Sequence, residues 1–113
     1  MKQQKILIVA ILVTILSCGA SAESKTKTKA LIQNGALVLD VRTPGEYAGG
    51  HYANAVNIPV DDLANQMTKI GTDKNRPIVV YCRSGRRSAQ ASAYLKGQGF
   101  TQVINAGGIN EMP

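Results

Sequence analysis

The 113-residue sequence is poor in the side chains that several kinds of site require. It has no tryptophan, one phenylalanine, four tyrosines and a single histidine. Surfaces that bind single-stranded nucleic acid by stacking need aromatic side chains, so the net charge of +6 does not by itself indicate nucleic acid. A histidine-based metal site is not indicated either, because His51 has no partner at ligand spacing. We therefore expect His51 to be a hydrogen-bonded turn residue.

The first 22 residues have the pattern of a secretory signal peptide. Lys2 and Lys5 give a positive start, an apolar run follows, and three small residues at 20–22 form a cleavage site. The apolar run is shorter than the ~20 residues that span a bilayer, so we expect no stable membrane span after cleavage. The alternative is a retained N-terminal anchor. We predict a signal peptide at 1–22, a single domain at 23–113 and a periplasmic location.

The sequence has only two cysteines, and their expected fates differ. Cleavage of the signal peptide removes Cys18, unless the lipoprotein-like sequence around it leads to lipidation and a membrane anchor. Cleavage leaves Cys82 without a partner for an internal disulfide. A lone thiol in an exported protein is either buried and inert or exposed for chemistry. The polar, cationic neighbours of Cys82 favour the second.

Short apolar runs alternate with helical patterns along the rest of the chain. We predict strands at residues 36–41, 55–58, 78–81 and 100–105. We predict a helix that ends before Gly35, a short helix that begins at Pro44, and two further helices at 61–70 and 88–98. Such alternation is typical of α/β domains in which a central, mostly parallel sheet has helices on both faces. Ligands of these sheets bind outside the carboxyl ends of the strands.

The stretch around Cys82 carries the most specific chemical signal. A β-branched strand ends at this cysteine, and a compact loop with one glycine and three arginines leads into a helix. The N–H groups of the loop and the positive end of the helix dipole favour the thiolate, which is the nucleophilic form. Asp40 and Arg42 follow another predicted strand, so we expect them at the same rim of the sheet. We expect these two residues to form a structural network with Glu46.

Three motifs resemble those of rhodanese domains. The first is DVRTPGEYAGGH at residues 40–51, followed by AVNIP at 55–59. The second is VYCRSGRRS at 80–88, which is similar to the rhodanese active-site loop. The third is GGI at 107–109, which is similar to a closing glycine turn. By these motifs the chain is identified as a member of the rhodanese family, with a likeness to small exported single-domain rhodaneses of the bacterial phage-shock type.

The resemblance implies a rhodanese-like fold and a thiosulfate sulfurtransferase. Cys82 would take the outer sulfur of thiosulfate as a persulfide and pass it to cyanide or another thiophilic acceptor. The loop residues expected to bind the substrate anion are Arg83, Ser84, Gly85, Arg86, Arg87 and Ser88. Arg87 is the best match for an oxyanion-binding arginine, the order of Arg83 and Arg86 stays open, and Arg42 is expected to assist. The resemblance implies a small anionic donor and a thiophilic acceptor as partners, and neither metal nor organic cofactor.

Two alternative functions stay open. Cysteine phosphatases that share this fold use a Cys-x5-Arg loop, whereas here Ser88 is the sixth residue after Cys82 and Arg87 comes one residue too early. A shorter loop suits a sulfur atom better than a phosphoryl group, so we favour sulfur transfer over phosphate ester hydrolysis. In the other alternative the domain is a persulfide carrier or a redox-sensing binding module that needs a protein partner.

Overall fold

The computed structural model describes residues 20–113 of the chain. Its elements in chain order are α1 (Ala20–Gln33), β1 (Leu37–Asp40), α2 (Pro44–Ala48), β2 (Val56–Asn57), a 3₁₀ segment (Val60–Lys69), β3 (Ile78–Cys82), α3 (Arg86–Gly97), β4 (Val103–Gly108) and a final 3₁₀ turn (Ile109–Glu111). Cys18 and most of the predicted signal peptide lie outside the described residues, so their processing stays a prediction. Within residues 20–113, none of the helices has the length and apolar character needed to cross a membrane.

The four strands form one parallel sheet in the order β2-β1-β3-β4. β1 and β3 pair from Leu37 opposite Ile78 to Asp40 opposite Tyr81, and β4 pairs with the other edge of β3. Parallel strands cannot be joined by tight hairpins, so each connection carries a helix or a 3₁₀ segment across the sheet. The predicted α/β domain with a parallel sheet is confirmed. Its carboxyl rim contains Asp40 and Cys82, the last residues of two neighbouring strands.

Apolar side chains pack on both faces of this sheet. Leu37 and Leu39 of β1 lie in a core formed with the 3₁₀ segment and α3, whereas Val38 lies in a second core formed with α1 and α2. Leu63 and Leu95 complete the first core and are buried. Each fully buried leucine contributes about 1.5–3 kcal/mol relative to an exposed one. The helices on both faces therefore hold β1 and β3 at fixed positions, and with them the rim where both strands end.

The predicted helix after β2 is a 3₁₀ segment instead. It is kinked at Gln66, where φ is −117° and ψ is 24°. Its apolar residues form two pairs at a spacing of three, Val60 with Leu63 before the kink and Met67 with Ile70 after it. That spacing matches the three residues per turn of a 3₁₀ helix, which explains why both halves pack their apolar side chains on the same core.

Two further boundaries differ from the prediction. β4 begins at Val103, later than expected, because Phe100 belongs to the end of α3. The Phe100 N–H donates to the Leu95 carbonyl oxygen while the ring packs in the core, an arrangement typical of helix ends. α3 begins at Arg86, earlier than expected, because Gly85 takes a φ of 103° and caps the helix. Two of the three loop arginines thus belong to the first turn of α3.

Candidate active site

Cys82 ends β3 with its sulfur inside the curve of the following loop. None of its surface is exposed (0%). Gly85 has a φ of 103°, which turns the chain so that its N–H donates to the Cys82 Sγ from 2.9 Å. A residue with a side chain rarely adopts that φ, so the loop requires glycine here. The expectation that Cys82 is exposed is therefore wrong, because the thiol lies buried beneath a loop whose polar groups face the sulfur.

The loop lowers the pKa of the Cys82 thiol. Burial alone raises that pKa, but the Ser88 hydroxyl and the backbone N–H groups of Ser88, Gly85 and Ser84 together outweigh the effect of burial. The Ser88 Oγ lies 3.5 Å from the sulfur. Because these groups stabilise a negative charge on sulfur, they favour the thiolate, which is the nucleophile in sulfur chemistry. The structure thus brings three of the predicted loop residues around the cysteine.

β4 holds the Ser88 hydroxyl from the opposite side. The Ser88 Oγ lies 2.7 Å from the Asn105 Oδ1 and 3.0 and 3.4 Å from the carbonyl oxygens of Gly85 and Gly107, so its single proton can turn to one of these acceptors or to the Cys82 sulfur. Asn105 is fixed in turn because its Oδ1 accepts the Gly107 N–H at 3.0 Å. The sequence analysis missed Asn105, which belongs to no recognisable motif. Its position just before the predicted glycine turn is the one signal that could have indicated it.

The two glycines at the end of β4 contact the cysteine loop. Gly107 and Gly108, predicted as a turn, are the last residues of this strand. A Cβ atom added to Gly108 would overlap the backbone carbonyl oxygen of Arg83. Backbone atoms cannot move aside as a flexible side chain can, so this close approach excludes any side chain at the position. The glycines therefore let the cysteine loop lie close against the end of β4. This close approach explains their presence better than the turn that we predicted.

Arg87 is held by a carboxylate. Its Nη1 and Nη2 donate to the Glu46 Oε1 and Oε2 at 2.7 and 3.0 Å, in a two-pronged ion pair. The Arg87 guanidinium, followed by the Thr43 N–H, lowers the pKa of Glu46 from 4.5 to about 2. Both terminal nitrogens of Arg87 thus bind a carboxylate of the chain itself, and the predicted binding of a substrate oxyanion by Arg87 stays a prediction. The expectation that Glu46 joins Asp40 and Arg42 is wrong, since the Glu46 carboxylate binds Arg87 instead, whereas Asp40 and Arg42 do pair with each other.

Arg42 lies in a buried network beside the cysteine loop. Its Nη2 donates to the Asp40 Oδ2 at 2.7 Å and to the Gly50 carbonyl oxygen at 2.8 Å. The Tyr81 hydroxyl donates to the same Asp40 oxygen at 2.6 Å, and burial together with this bond raises the pKa of Tyr81 to about 12. Because Asp40 accepts from both the Nε and the Nη2 of Arg42, the network fixes the guanidinium at the rim of the sheet. A contact of Arg42 with substrate stays a prediction.

A cavity of about 350 Å³ opens beside the loop. Arg42, Glu46 and Arg83 are the charged residues that line it, and Asn110 lines it as well. Arg83 is exposed, and no hydrogen bond or ion pair engages its side chain within the described part of the chain. Arg86 is also exposed but does not line this cavity. Of the two arginines whose order the sequence left open, only Arg83 lines this cavity, and a contact of either one with substrate stays a prediction.

Comparison with known proteins identifies the family. The family model of the rhodanese-like domain matches residues 24–112 of the chain. The chain belongs to the rhodanese-like domain family. It is 39% identical over 74 residues to the thiosulfate sulfurtransferase PspE of Escherichia coli (strain K12), a match that covers 66% of this chain and 71% of that protein. It is 46% identical over 74 residues to a sulfurtransferase of Allochromatium vinosum, covering 65% of this chain and 67% of that protein.

A solved structure of a rhodanese domain has the same fold. This structure, a rhodanese with anions from E. coli, matches with a TM-score of 0.65 at 38% sequence identity. The match covers 70% of this chain and 95% of that one. The predicted rhodanese fold and family are thereby confirmed, and the cysteine loop described above occupies the carboxyl rim of a rhodanese sheet.

Two other predictions for this rhodanese domain concern metals and His51. In residues 20–113 no three His, Cys, Asp or Glu side chains lie close enough together to hold a metal ion. The His51 Nδ1 lies 2.9 Å from the Tyr47 carbonyl oxygen, and the two rings stack with centroids 3.7 Å apart. These contacts agree with the predicted role of His51 as a hydrogen-bonded residue of the turn after α2.

Proposed function

We propose that this protein is a sulfurtransferase that carries a sulfane sulfur on Cys82 as a persulfide. The observation that carries the proposal is the Cys82 sulfur, held by loop N–H groups at the carboxyl end of β3. In parallel sheets this end is where ligands bind. The relatives named thiosulfate sulfurtransferase and sulfurtransferase support the reaction class.

In the first half-reaction the Cys82 thiolate attacks the outer sulfur of thiosulfate. A sulfur–sulfur bond forms to Cys82, the sulfur–sulfur bond of thiosulfate breaks, and sulfite leaves with the electron pair. Charge is conserved, because a thiolate and a dianion become a persulfide anion and a dianion. The same loop N–H groups that favour the thiolate are placed to stabilise the persulfide anion.

In the second half-reaction an acceptor takes the outer sulfur. Cyanide or another thiophile attacks that sulfur, and the Cys82 thiolate leaves with the electron pair. A thiol of lowered pKa is a better leaving group, so the loop assists this step as well. The cycle returns Cys82 to its starting state and needs no oxidant or reductant.

The geometry supports sulfur transfer better than phosphate ester hydrolysis. The loop is short, because Gly85 already caps α3 three residues after Cys82. The Arg87 guanidinium, which would have to face a phosphoryl group, binds the Glu46 carboxylate instead. A single sulfur atom needs less room than a phosphoryl group with three oxygens.

One observation favours a second candidate, the persulfide carrier. Cys82 is fully buried (0% exposed), so an acceptor must reach the sulfur through the opening of the cysteine loop. An acceptor thiol on a partner protein would meet the exposed Arg83 and Arg86 beside that opening. In that case a stable persulfide forms from the donor, and turnover requires the partner.

We also propose that the domain acts in the periplasm after residues 1–22 are removed. Support comes from the charge, apolar run and small residues of this segment. The test is the N-terminal residue and the compartment of the chain expressed in bacteria. A start at Glu23 in the periplasmic fraction agrees with the proposal, a lipid on Cys18 indicates the anchored form, and an unprocessed cytoplasmic chain contradicts both.

The function is tested by thiocyanate formation from thiosulfate and cyanide, with intact mass measured before cyanide is added. Parent protein and Cys18→Ser should gain the mass of one sulfur atom and turn over, whereas Cys82→Ser should do neither. A stable sulfur adduct without turnover would indicate the carrier. Folded, reduced parent protein that shows neither adduct nor turnover would contradict the proposed function.

A further inference from the structure

Glu46 is the carboxylate in the wall of the cavity beside the cysteine loop. The cavity also contains Arg42 and Arg83, as a site for an anionic donor should. A negative side chain in that wall opposes the binding of anions, and opposes dianions most, because Coulomb energy scales with the product of the charges. Sulfur transfer from thiosulfate, a dianion, does not by itself explain why an acidic residue lines this cavity.

The Glu46 carboxylate occupies the donors of Arg87 that a sulfonate would use. Its two oxygens accept from Nη1 at 2.7 Å and Nη2 at 3.0 Å. A carboxylate and two oxygens of a sulfonate have the same fit to a guanidinium fork. A donor cannot take this fork without displacing Glu46, so the carboxylate competes with anionic substrate from within the chain.

Glu46 is also fixed in this position. The Thr43 N–H donates to the Glu46 Oε1 at 3.0 Å, and the Glu46 N–H donates to the Thr43 Oγ1 at 3.2 Å. This reciprocal pair caps α2 and ties the Glu46 carboxylate to the first turn of that helix. Glu46 therefore stays in the cavity wall rather than swinging aside for substrate.

Arg87 connects Glu46 to the reacting sulfur. Its contact with Glu46 raises the pKa of Arg87, and the nearby Cys82 thiolate acts in the same direction. The Arg87 guanidinium is thus coupled both to the Glu46 carboxylate, which it binds at 2.7 and 3.0 Å, and to the Cys82 thiolate. Removing the charge of Glu46 leaves this guanidinium without its carboxylate partner.

We propose that Glu46 is a specificity-determining residue for the sulfur donor. Its negative charge disfavours the binding of dianionic donors in the cavity and favours donors whose leaving group carries at most one negative charge. This rests on the proposed function. With methanethiosulfonate, a monoanion, the Cys82 thiolate attacks the outer sulfur and methanesulfinate leaves with the electron pair. Methanethiosulfonate differs from thiosulfate by a methyl group in place of one charged oxygen, so the two donors form a matched pair.

The experiment compares kcat/KM for the two donors in the parent protein and in Glu46→Gln. The variant keeps a hydrogen-bonding side chain but removes the charge. We expect kcat/KM to rise about tenfold for thiosulfate and about threefold for methanethiosulfonate, because the repulsion doubles with the charge of the donor. The selectivity for the monoanion should therefore fall about threefold.

Two variants separate charge from structure. Thr43→Ala removes the Oγ1 contacts of the cap, but the backbone N–H of residue 43 and Arg87 still hold the charged carboxylate, so the selectivity should stay as in the parent. Arg83→Gln removes a cation from the same wall, so it should lower kcat/KM for thiosulfate more than for methanethiosulfonate. The kcat/KM for thiosulfate should therefore rise in Glu46→Gln and fall in Arg83→Gln.

A binding measurement keeps the test independent of turnover. Sulfate is an unreactive dianion and methanesulfonate an unreactive monoanion, and either can raise the melting temperature of a protein that binds it. We expect sulfate to stabilise Glu46→Gln more than the parent, with a smaller gain for methanesulfonate.

Three outcomes would overturn the proposal. Equal changes for both donors in Glu46→Gln, or a loss with both, would show that Glu46 only positions Arg87. A fall in selectivity in Thr43→Ala equal to that in Glu46→Gln would show that the cap, not the charge, is responsible. A parent protein that forms no sulfur adduct with either donor would contradict the proposed function itself, and this inference with it.

Discussion

Two arginine–carboxylate pairs flank the cysteine loop, and the distance between their charges does not distinguish them. Arg42 lies 2.7 Å from Asp40, and Arg87 lies 2.7 Å from Glu46. Their burial differs. The side chains of the first pair are 7% and 0% exposed, whereas those of the second are 30% and 22% exposed.

The difference in burial separates structural from functional roles. Asp40 also accepts bonds from the Tyr81 hydroxyl and the Arg42 backbone N–H, so losing its charge would leave buried groups without a partner. Water can reach the pair of Glu46 and Arg87, and partly exposed ion pairs contribute little to stability. We infer that the buried pair of Asp40 and Arg42, the inner pair, stabilises the rim of the sheet. The pair of Glu46 and Arg87, the outer pair, affects which anions bind there.

The largest expected effect is on the inner pair. Asp40→Asn leaves the buried Arg42 guanidinium without its counter-ion, and breaking a buried pair in this way costs about 3–5 kcal/mol. Glu46→Gln is the matched substitution on the outer pair and should cost about 1 kcal/mol or less. Urea unfolding of the three proteins measures both values. A larger loss in Glu46→Gln than in Asp40→Asn would reverse our assignment of roles.

A smaller effect is expected for the coupling between Glu46 and Arg87. A double-mutant cycle with Glu46→Gln and Arg87→Gln should give a coupling free energy of about 0.2–1 kcal/mol at low salt. Because the pair is partly exposed, about 1 M salt should reduce this coupling. Coupling that exceeds the range and does not respond to salt would mean that the outer pair is as structural as the inner one.

The smallest effect is on the acid stability of the protein. The folded state holds the pKa of Glu46 at about 2, below its ordinary 4.5. A lowered folded-state pKa stabilises the fold above pH 4.5, and this contribution is lost as the pH falls from 4.5 towards 2. The difference in melting temperature between the parent and Glu46→Gln should therefore narrow over that range. A difference that is independent of pH would show that the charge of Glu46 does not stabilise the fold.

Motifs and periodicity were sufficient to predict the domain, the sheet and the cysteine loop. Cys82, Gly85 and Ser88 are local to one loop, so their proximity follows from the chain itself. The error at the start of β4 has a local cause, since the apolar Phe100 resembles a strand residue but serves a helix end. The 3₁₀ segment was misread because its apolar spacing also fits an α-helix.

Pairing across the fold could not be read from the sequence. Glu46 and Arg87 are 41 positions apart, and Asn105 is 17 positions from Ser88. Asp40, Arg42 and Glu46 lie close together in the chain, which favoured one network, whereas the fold turns Glu46 towards α3. Which carboxylate reaches which arginine depends on how α2 and α3 meet at the rim, and no local pattern encodes that.

The loop is expected to favour the thiolate form of Cys82, so the pKa of the Cys82 thiol is the quantity to measure first. The ultraviolet absorbance of the thiolate is followed against pH in the full chain, and the curve of Cys82→Ser is subtracted to remove the signal of other groups. We predict a midpoint below the ordinary thiol value of 9.0, a higher midpoint in Ser88→Ala and no change in Ser84→Ala, where only the backbone N–H acts. A midpoint at or above 9.0 in the parent protein, or one that Ser88→Ala leaves unchanged, would contradict the account.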